Sequence, residues 1–137
     1  VYQSAPPTLT NNVVTALTFN TERWDVGACH DNAVNAGRLT APRAGVYLVF
    51  AMVAFAANAV GTRAVYLLHQ GATYFALDAR PAVPTAAVGT YIPVASFWRL
   101  AAGEYVECQA FQNSGGNLAI LNAAAYTCEF GFQWVSP

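Results

Sequence analysis

The stretch that decides the fold runs from Leu39 to Phe55: Leu-Thr-Ala-Pro-Arg-Ala-Gly-Val-Tyr-Leu-Val-Phe-Ala-Met-Val-Ala-Phe. It begins with a turn at Pro42 and Gly45 and then has apolar residues at nearly every position. Side chains alternate across a strand. They therefore divide between two faces, with Val46, Leu48, Phe50 and Met52 on one and Tyr47, Val49, Ala51, Val53 and Phe55 on the other. A strand that is apolar on both faces must be covered on both. One cover is the second sheet of a sandwich, and the other must come from elsewhere.

This stretch has two helical alternatives. A transmembrane helix needs about 20 apolar residues, and Arg43 and Asn58 bracket too few. A buried helix has the same hydrophobicity as a buried strand, because short apolar runs do not separate the two. The enrichment in Val, Tyr and Phe, and the punctuation by Pro42 and Gly45, favour a central strand.

The composition indicates that part of the surface is covered or borders a particle. Only 9% of the 137 residues are charged and 55% are hydrophobic, whereas soluble domains average about 25% charged residues. So few charges, without a membrane-spanning run, indicate burial in an oligomer or a particle exterior. The net charge of -1 lacks the excess of positive charge that is typical of proteins that bind nucleic acid. The chain starts without methionine, which we interpret as a processed product or a segment of a longer protein.

Short strands separated by Gly, Pro and Asn turns predict an all-β sandwich or barrel in a single domain, residues 1–137. Residues 1–12 are expected to form an extended segment, because Pro6 and Pro7 block a helix. Pro93 is expected to break its strand or to place it at a sheet edge. No segment has a clear helical period. Besides the central strand, we predict a loop at 78–89 and strands at 13–19, 62–69, 73–77, 90–100, 105–112, 118–124 and 128–135.

Cys29, Cys108 and Cys128 cannot all pair within one chain. A disulfide scaffold would be denser in cysteine and even-numbered. We therefore interpret them as small buried apolar residues. A Cys108–Cys128 bridge would require their two strands to face each other, which spacing alone does not show.

Four pieces of the sequence, in this order, resemble the globular head of complement component one q and the tumour necrosis factor-like jelly rolls. The early segment has Leu-Thr-Phe-Asn at 17–20 followed by Trp24-Asp25. Residues 39–50 resemble the family signature that begins Pro-x-x-Gly-x-Tyr. Residues 100–106 resemble its Leu-x-x-Gly-Asp-x-Val turn, with Glu104 in place of Asp. Phe-Gly-Phe at 130–132 resembles its last strand. The overall character is more similar to bacterial and bacteriophage members, and a collagen-like stalk is absent from this sequence.

The resemblance implies a jelly roll of about ten antiparallel strands in two sheets, packed as a homotrimer through the inner sheet. The inner sheet would include the strands at 45–55, 90–100 and 128–135. Two neighbouring subunits would then supply the missing cover of the central strand. The residues expected at that interface are Tyr47, Val49, Tyr91, Trp98 and Trp134.

The sequence offers little catalytic chemistry, and we expect no enzyme. His30 and His69 are far apart, and no serine lies in a nucleophile elbow. The cluster Cys29-His30-Asp31-Asn32 has no second group of metal ligands, so neither a zinc site nor any other metal or cofactor is expected. Calcium was considered because some members of the family bind it. The candidates Asp25, Asp31 and Asp78 are better interpreted as residues of Asx-rich turns.

Binding residues concentrate on loops held by a rigid scaffold. The residues expected to bind a ligand are therefore Trp24, Asp25, His30, Asp31, Arg80, Gln112 and Asn113. We favour a trimeric head that binds a cell-surface protein or glycan, as a phage fibre tip or bacterial surface protein would. The alternative is a structural module that trimerises or decorates a virion or spore surface. A third hypothesis, a hydrolase or lyase, would depend on Asp25 or Glu107. All place the chain outside the cell or on a particle or spore surface, without membrane insertion.

Overall fold

The computed structural model describes residues 1–85, 87–122 and 127–137. Every regular element in these ranges is a strand, and none is a helix. The ten strands are β1 (Thr8–Leu9), β2 (Thr15–Ala16), β3 (Arg38–Thr40), β4 (Gly45–Phe55), β5 (Thr62–His69), β6 (Thr73–Pro81), β7 (Thr90–Leu100), β8 (Tyr105–Gln112), β9 (Leu118–Ala119) and β10 (Glu129–Ser136). The prediction of an all-β fold with about ten strands is confirmed.

The strands form two facing antiparallel sheets and a small ribbon. The inner sheet has the order β10-β4-β7, which are the three strands that the resemblance assigned to it. The outer sheet has the order β2-β8-β5-β6, and β3 also pairs with β8. β1 and β9 pair with each other. The predicted central strand β4 is the middle strand of the inner sheet, where an apolar run is expected.

The core lies between the two sheets. The odd-numbered residues of β4 point into it, and Tyr47, Val49 and Val53 are each at most 1% exposed. From β5 and β8 of the outer sheet, Val65, Leu67 and Cys108 are fully buried against them. The assignment of Tyr47 and Val49 to a subunit interface is therefore wrong, because this face of β4 is already covered within the chain.

Three predicted boundaries differ from the structure. The strand predicted at 13–19 is only β2, Thr15–Ala16. β6 continues to Pro81, so the first residues of the predicted 78–89 loop are in a strand, where Asp78 pairs with Val65. β7 is unbroken at Pro93, and among the described residues it is an edge strand that pairs only with β4. An edge tolerates the missing N–H of proline. The predicted strand at 118–124 is found as β9, and its last two residues lie outside the described ranges.

Arg63 on β5 is 0% exposed, although its guanidinium has no carboxylate partner among the described residues. Its Nη1 donates to the carbonyls of Val60 and Thr62 at 2.9 and 3.1 Å, and its Nη2 donates to Asn58 O at 3.2 Å. Desolvation lowers the pKa of this guanidinium. The buried charge thus holds together the turn between β4 and β5.

All three cysteines are free thiols in the structure and lie in buried positions. Burial raises the pKa of Cys29 to about 11 and that of Cys128 to about 12, and it raises the pKa of Cys108 well above its usual value. The interpretation of these residues as small buried apolar groups is confirmed, and no disulfide links Cys108 to Cys128 in the structure.

Candidate functional site

The outward side of the inner sheet is apolar and uncovered. On β4, the even-numbered Leu48, Phe50 and Met52 point outward. Their cross-strand neighbours on β7 are Phe97, Ala95 and Pro93. Phe97 is 60% exposed, and Phe50 is 41% exposed. The ring of Phe50 lies over Gly131 of β10, where any Cβ would collide with it. We call this surface of β4 and β7 the open face.

Of the predicted interface residues, only Tyr91 lies on the open face, where it is 37% exposed and pairs with Ala54. Trp98 is opposite Tyr47, on the side that faces the core. Its ring stacks on Phe75 of β6 at 4.8 Å, which closes that side of the sandwich. Trp134 also pairs with Tyr47. The structure thus corrects the assignment of Trp98 and Trp134, because both lie on the same side of the inner sheet as Tyr47, which faces the core.

A groove of about 570 Å³ runs beside β10. Its walls are the loop from Arg23 to His30 on one side and residues 130–134 of β10 on the other. Arg43 and Val1 also line the groove. Trp24 is 76% exposed and Val26 is 89% exposed, so the loop presents apolar groups to solvent. We call this feature the β10 groove.

Two aspartates give the 20–37 loop its shape. Asp25 accepts hydrogen bonds from the backbone N–H groups of Cys29, at 2.9 Å, and His30, at 3.0 Å. Asp31 accepts from the N–H groups of Ala33 and Val34, at 2.7 and 3.0 Å. These donors lower the pKa of Asp31. Both carboxylates act as Asx-type turn residues; Asp25 accepts through both of its oxygens, whereas both bonds to Asp31 go to Oδ1.

The side chain of His30 is 1% exposed. Its Nδ1 lies 3.1 Å from Glu22 Oε1 and its Nε2 lies 3.0 Å from Ala36 O. Both ring nitrogens therefore face acceptors within the loop, so His30 links its two ends. The residue lines the floor of the β10 groove, but its polar atoms are already engaged. The assignment of His30 to ligand binding stays a prediction.

The two arginines beside the β10 groove, Arg23 and Arg43, differ in their partners. Arg23 Nε donates to Glu129 Oε1 at 3.0 Å, so these two charges form an ion pair. The guanidinium of Arg43 lies over the ring of Trp134, 3.8 Å from its centroid. No carboxylate pairs with Arg43 in the part of the chain that the structure describes. Arg43 is therefore the cation that the groove can offer to a ligand.

The other predicted ligand-binding residues lie elsewhere. Arg80 is on β6 and donates through Nε to Asp78 Oδ1 at 3.0 Å. Asn113 Oδ1 accepts the N–H of Thr62 at 2.5 Å, and Asn113 packs against Gly61 at a backbone φ of 80°. Both residues are remote in the fold from the β10 groove, so the seven predicted residues do not form one site.

Gln112 is structural rather than ligand-binding, because it is 0% exposed. Its Nε2 donates to Leu9 O at 3.2 Å and to Gly116 O at 2.9 Å. Its Oε1 accepts the N–H of Ser114 at 2.8 Å. The side chain therefore joins β1 to the turn that follows β8. A glutamine in a polar, glycine-rich stretch gives no sequence signal for this burial.

A second hollow of about 380 Å³ lies on the other side of the 20–37 loop. Arg38 crosses it, donates from Nε to Glu107 Oε1 at 2.9 Å and stacks over the ring of Tyr105 at 4.0 Å. Asp25 and Glu107, on which a hydrolase would depend, are thus both engaged. Among the described residues, no group of three or more His, Cys, Asp or Glu side chains could hold a metal ion. The absence of metal, cofactor and enzymatic activity stays a prediction.

No family model matches this chain, and no curated protein matches it significantly. Solved structures do match. One is the crystal structure of murine APRIL at pH 5.0, with a TM-score of 0.65 and 15% sequence identity over 94% of this chain and 92% of that chain. The fold is therefore a tumour necrosis factor-like jelly roll. Because 184 chains match in all, the fold is widespread and does not by itself select a function.

The search for membrane spans considered the described residues and found no helix long and apolar enough to cross a bilayer.

Proposed function

We propose that this chain is the head domain of a homotrimer and that it binds a ligand on a cell or particle surface. The open face is the observation that carries the proposal. Scattered exposed apolar residues are ordinary on a monomer, but a contiguous apolar sheet face marks an interaction surface. Phe50 of β4 and Phe97 and Tyr91 of β7 are all exposed along this face, and the opposite side of β4 is buried in the core.

Two neighbouring copies are the proposed cover of the open face. The face is nearly free of charge along β4, and its one cation on β7, Arg99, lies at the end, opposite Val46. Self-association would bury this apolar area without desolvating a central charge, which is the usual character of a permanent interface. The low charge of the whole chain, 9%, supports the same interpretation.

The ligand-binding part of the proposal is supported by the β10 groove. Exposed Trp24 and Val26 and the unpaired Arg43 give it apolar and cationic groups on a rigid frame. A receptor protein or a glycan is the proposed ligand class. In this proposal the chain is a complement component one q-like head of bacterial or bacteriophage type that acts outside the cell. The alternative is a structural module of a virion or spore surface, which the low charge of the open face supports equally.

The first experiment is the mass of the native chain by light scattering, from nanomolar to micromolar concentration. A stable mass of three chains is expected, because the apolar face has to be covered. A monomer over the whole range would overturn the trimer. A glycan and cell-binding screen with the intact assembly then separates the two functions. Binding that survives removal of the 20–37 loop would contradict the assigned binding region, and no binding at all would favour the structural module.

A further inference from the structure

The second hollow, of about 380 Å³, opens on the side of the 20–37 loop that faces away from the β10 groove. One wall is the stretch from Ala28 to Asn35, and the other is formed by Arg38 and Thr40 of β3 and Tyr105 of β8. None of its lining residues belongs to β4, β7 or β10. Covering the open face with neighbouring copies therefore does not by itself fill this hollow. We call it the Arg38 hollow.

Asp31 gives the hollow a carboxylate oxygen. Its Oδ1 accepts the N–H groups of Ala33 and Val34, whereas no hydrogen bond from the described residues reaches its Oδ2. The residue is exposed, and the two N–H groups lower the pKa of its carboxyl, so the group is ionised at neutral pH. An ionised oxygen accepts hydrogen bonds that are stronger than those between neutral groups. Oδ2 is therefore an acceptor that a ligand can use without disturbing the turn.

Three further polar side chains line the Arg38 hollow. Arg38 contacts Glu107 through Nε, and its guanidinium lies over the ring of Tyr105, 4.0 Å from the centroid. Stacking of this kind leaves the in-plane Nη donors available to a ligand. Asn35 and Thr40 are exposed, and within the described chain their hydrogen bonds are made by the backbone alone. The hollow thus combines donors and acceptors that the protein itself does not use.

The charges of the hollow disfavour several classes of ligand. Glu107 neutralises Arg38, so with the ionised Asp31 the hollow has no excess positive charge for an anion. One carboxylate oxygen beside a guanidinium provides too few oxygen ligands for calcium. Val34 is 62% exposed and is an apolar contact among the polar groups. A ligand that satisfies all of them is uncharged, carries several hydroxyl groups and has an apolar side.

We propose that the Arg38 hollow binds one neutral sugar residue, at the end of a glycan on a cell or particle surface. Neighbouring hydroxyl groups of the sugar donate to Asp31 Oδ2 and accept from the Nη groups of Arg38. Asn35 and Thr40 bind a further hydroxyl group, and Val34 packs against C–H groups of the ring. The volume of about 380 Å³ is near the lower end for ligand pockets, which suits a single sugar residue. This inference rests on the proposed ligand-binding role and narrows its ligand class to glycans, but it does not rest on the trimer.

The test titrates the ¹⁵N-labelled full chain with single sugars and follows its amide resonances. Glucose, galactose, mannose and N-acetylglucosamine are the neutral probes, and glucuronic acid and N-acetylneuraminic acid are the acidic ones. At least one neutral sugar is expected to shift the amides of Val34, Asn35 and Thr40 and to saturate at millimolar concentration. The acidic sugars should bind more weakly, because Asp31 repels them. Immobilised glycans that end in the same neutral sugar should also bind the chain, which distinguishes a glycan terminus from a free sugar.

Asp31→Asn keeps Oδ1, which shapes the loop, and replaces only Oδ2 by a donor. It is expected to weaken sugar binding about tenfold, the scale of one hydrogen bond to a charged group. The matched control is Asp78→Asn, which removes a carboxylate on β6 and should not change the affinity. Asn35→Gly should also weaken binding, because it removes the amide at a φ of 56° that glycine tolerates. Its control is Asn12→Gly, at a φ of 61° outside the hollow. Unchanged thermal unfolding of the four variants shows that the fold is intact.

The absence of a saturable shift with every neutral sugar would overturn the proposal, as would an Asp31→Asn chain that binds as tightly as the unsubstituted one. Tighter binding of acidic sugars would refute the neutral ligand class. Shifts confined to β10 would place the sugar on the other side of the loop and refute the Arg38 hollow. If the hollow binds no sugar but the intact assembly binds cells, this inference fails and the proposed function stands. If free sugars bind in the hollow but the assembly binds no glycan or cell, the glycan terminus and the proposed function fail and the sugar site remains.

Discussion

Replacing Phe97 with serine is expected to weaken self-association while leaving the chain folded. Phe97 lies in the middle of the open face, opposite Leu48 of β4. The residue is on the side of β7 that faces away from the core and is 60% exposed in the single chain. Because the substitution removes apolar surface that is already in water, the free energy of unfolding of one chain should change by less than about 1 kcal/mol.

The expected loss in association follows from the exposed fraction of the residue. A phenylalanine can bury about 200 Å²; 60% of that leaves about 120 Å² of Phe97 to be covered by a neighbour. At about 25 cal/mol per Å², the cover contributes about 3 kcal/mol per subunit. Phe97→Ser should therefore raise the dissociation constant of the assembly by about 100-fold for each contact that is lost.

Light scattering and analytical ultracentrifugation over a concentration series measure this shift. The matched control is Leu77→Ser, because Leu77 is 57% exposed but lies on β6 of the outer sheet. The reasoning is refuted if Phe97→Ser dissociates at the same concentration as the unsubstituted chain. It is equally refuted if Leu77→Ser is as disruptive, since the open face would then have no special role.

Three further predictions concern the single chain. Gln112→Ala should lower the free energy of unfolding by about 2–4 kcal/mol in urea, since it leaves buried carbonyls unpaired, whereas the exposed Gln70→Ala should stay within about 0.5 kcal/mol. Glu104→Gln should flatten the acid limb of the stability curve. A backbone N–H lowers the pKa of Glu104 below its usual 4.5, so its contribution is present above that pH and is lost as the pH falls. Iodoacetamide should label Cys29 and Cys108 only after unfolding, because burial raises the pKa of both thiols. Labelling is followed by mass spectrometry, and rapid modification of the native chain would contradict the burial of these thiols.

The sequence predicts the fold well where one periodicity dominates. The run from Gly45 to Phe55 favoured a strand with two apolar faces over a buried helix, and it is β4. The pairing of Phe130, Phe132 and Trp134 on one face of β10 is also found. Which face of β4 points into the core could not be predicted, because both faces are apolar. Alternation separates the two faces but does not say which one is buried. That choice depends on which residues of the outer sheet pack against it, and those contacts are long-range.

The candidate site was less predictable because polar loop residues serve two purposes. Asp25, Asp31 and Gln112 have the side chains of binding residues, but their hydrogen bonds go to backbone groups of their own loops. Trp24 could be expected to lie at the surface from its polar surroundings, and it does. The pairing of residues 1–3 with residues 128–130 had no sequence signal, because it joins positions at the two ends of the sequence.

The alternation of β4 has an evolutionary consequence. Tyr47, Val49 and Val53 face the core, whereas Leu48, Phe50 and Met52 face outward on the same eleven-residue strand. Under the proposed trimer, the two sets are under separate selection although they are adjacent in the gene. Mutations at even positions can change the binding partner, or produce a monomeric homologue, without altering the core. Among homologues, the rate of substitution should therefore alternate along this strand. The odd positions should change slowly and the even positions quickly.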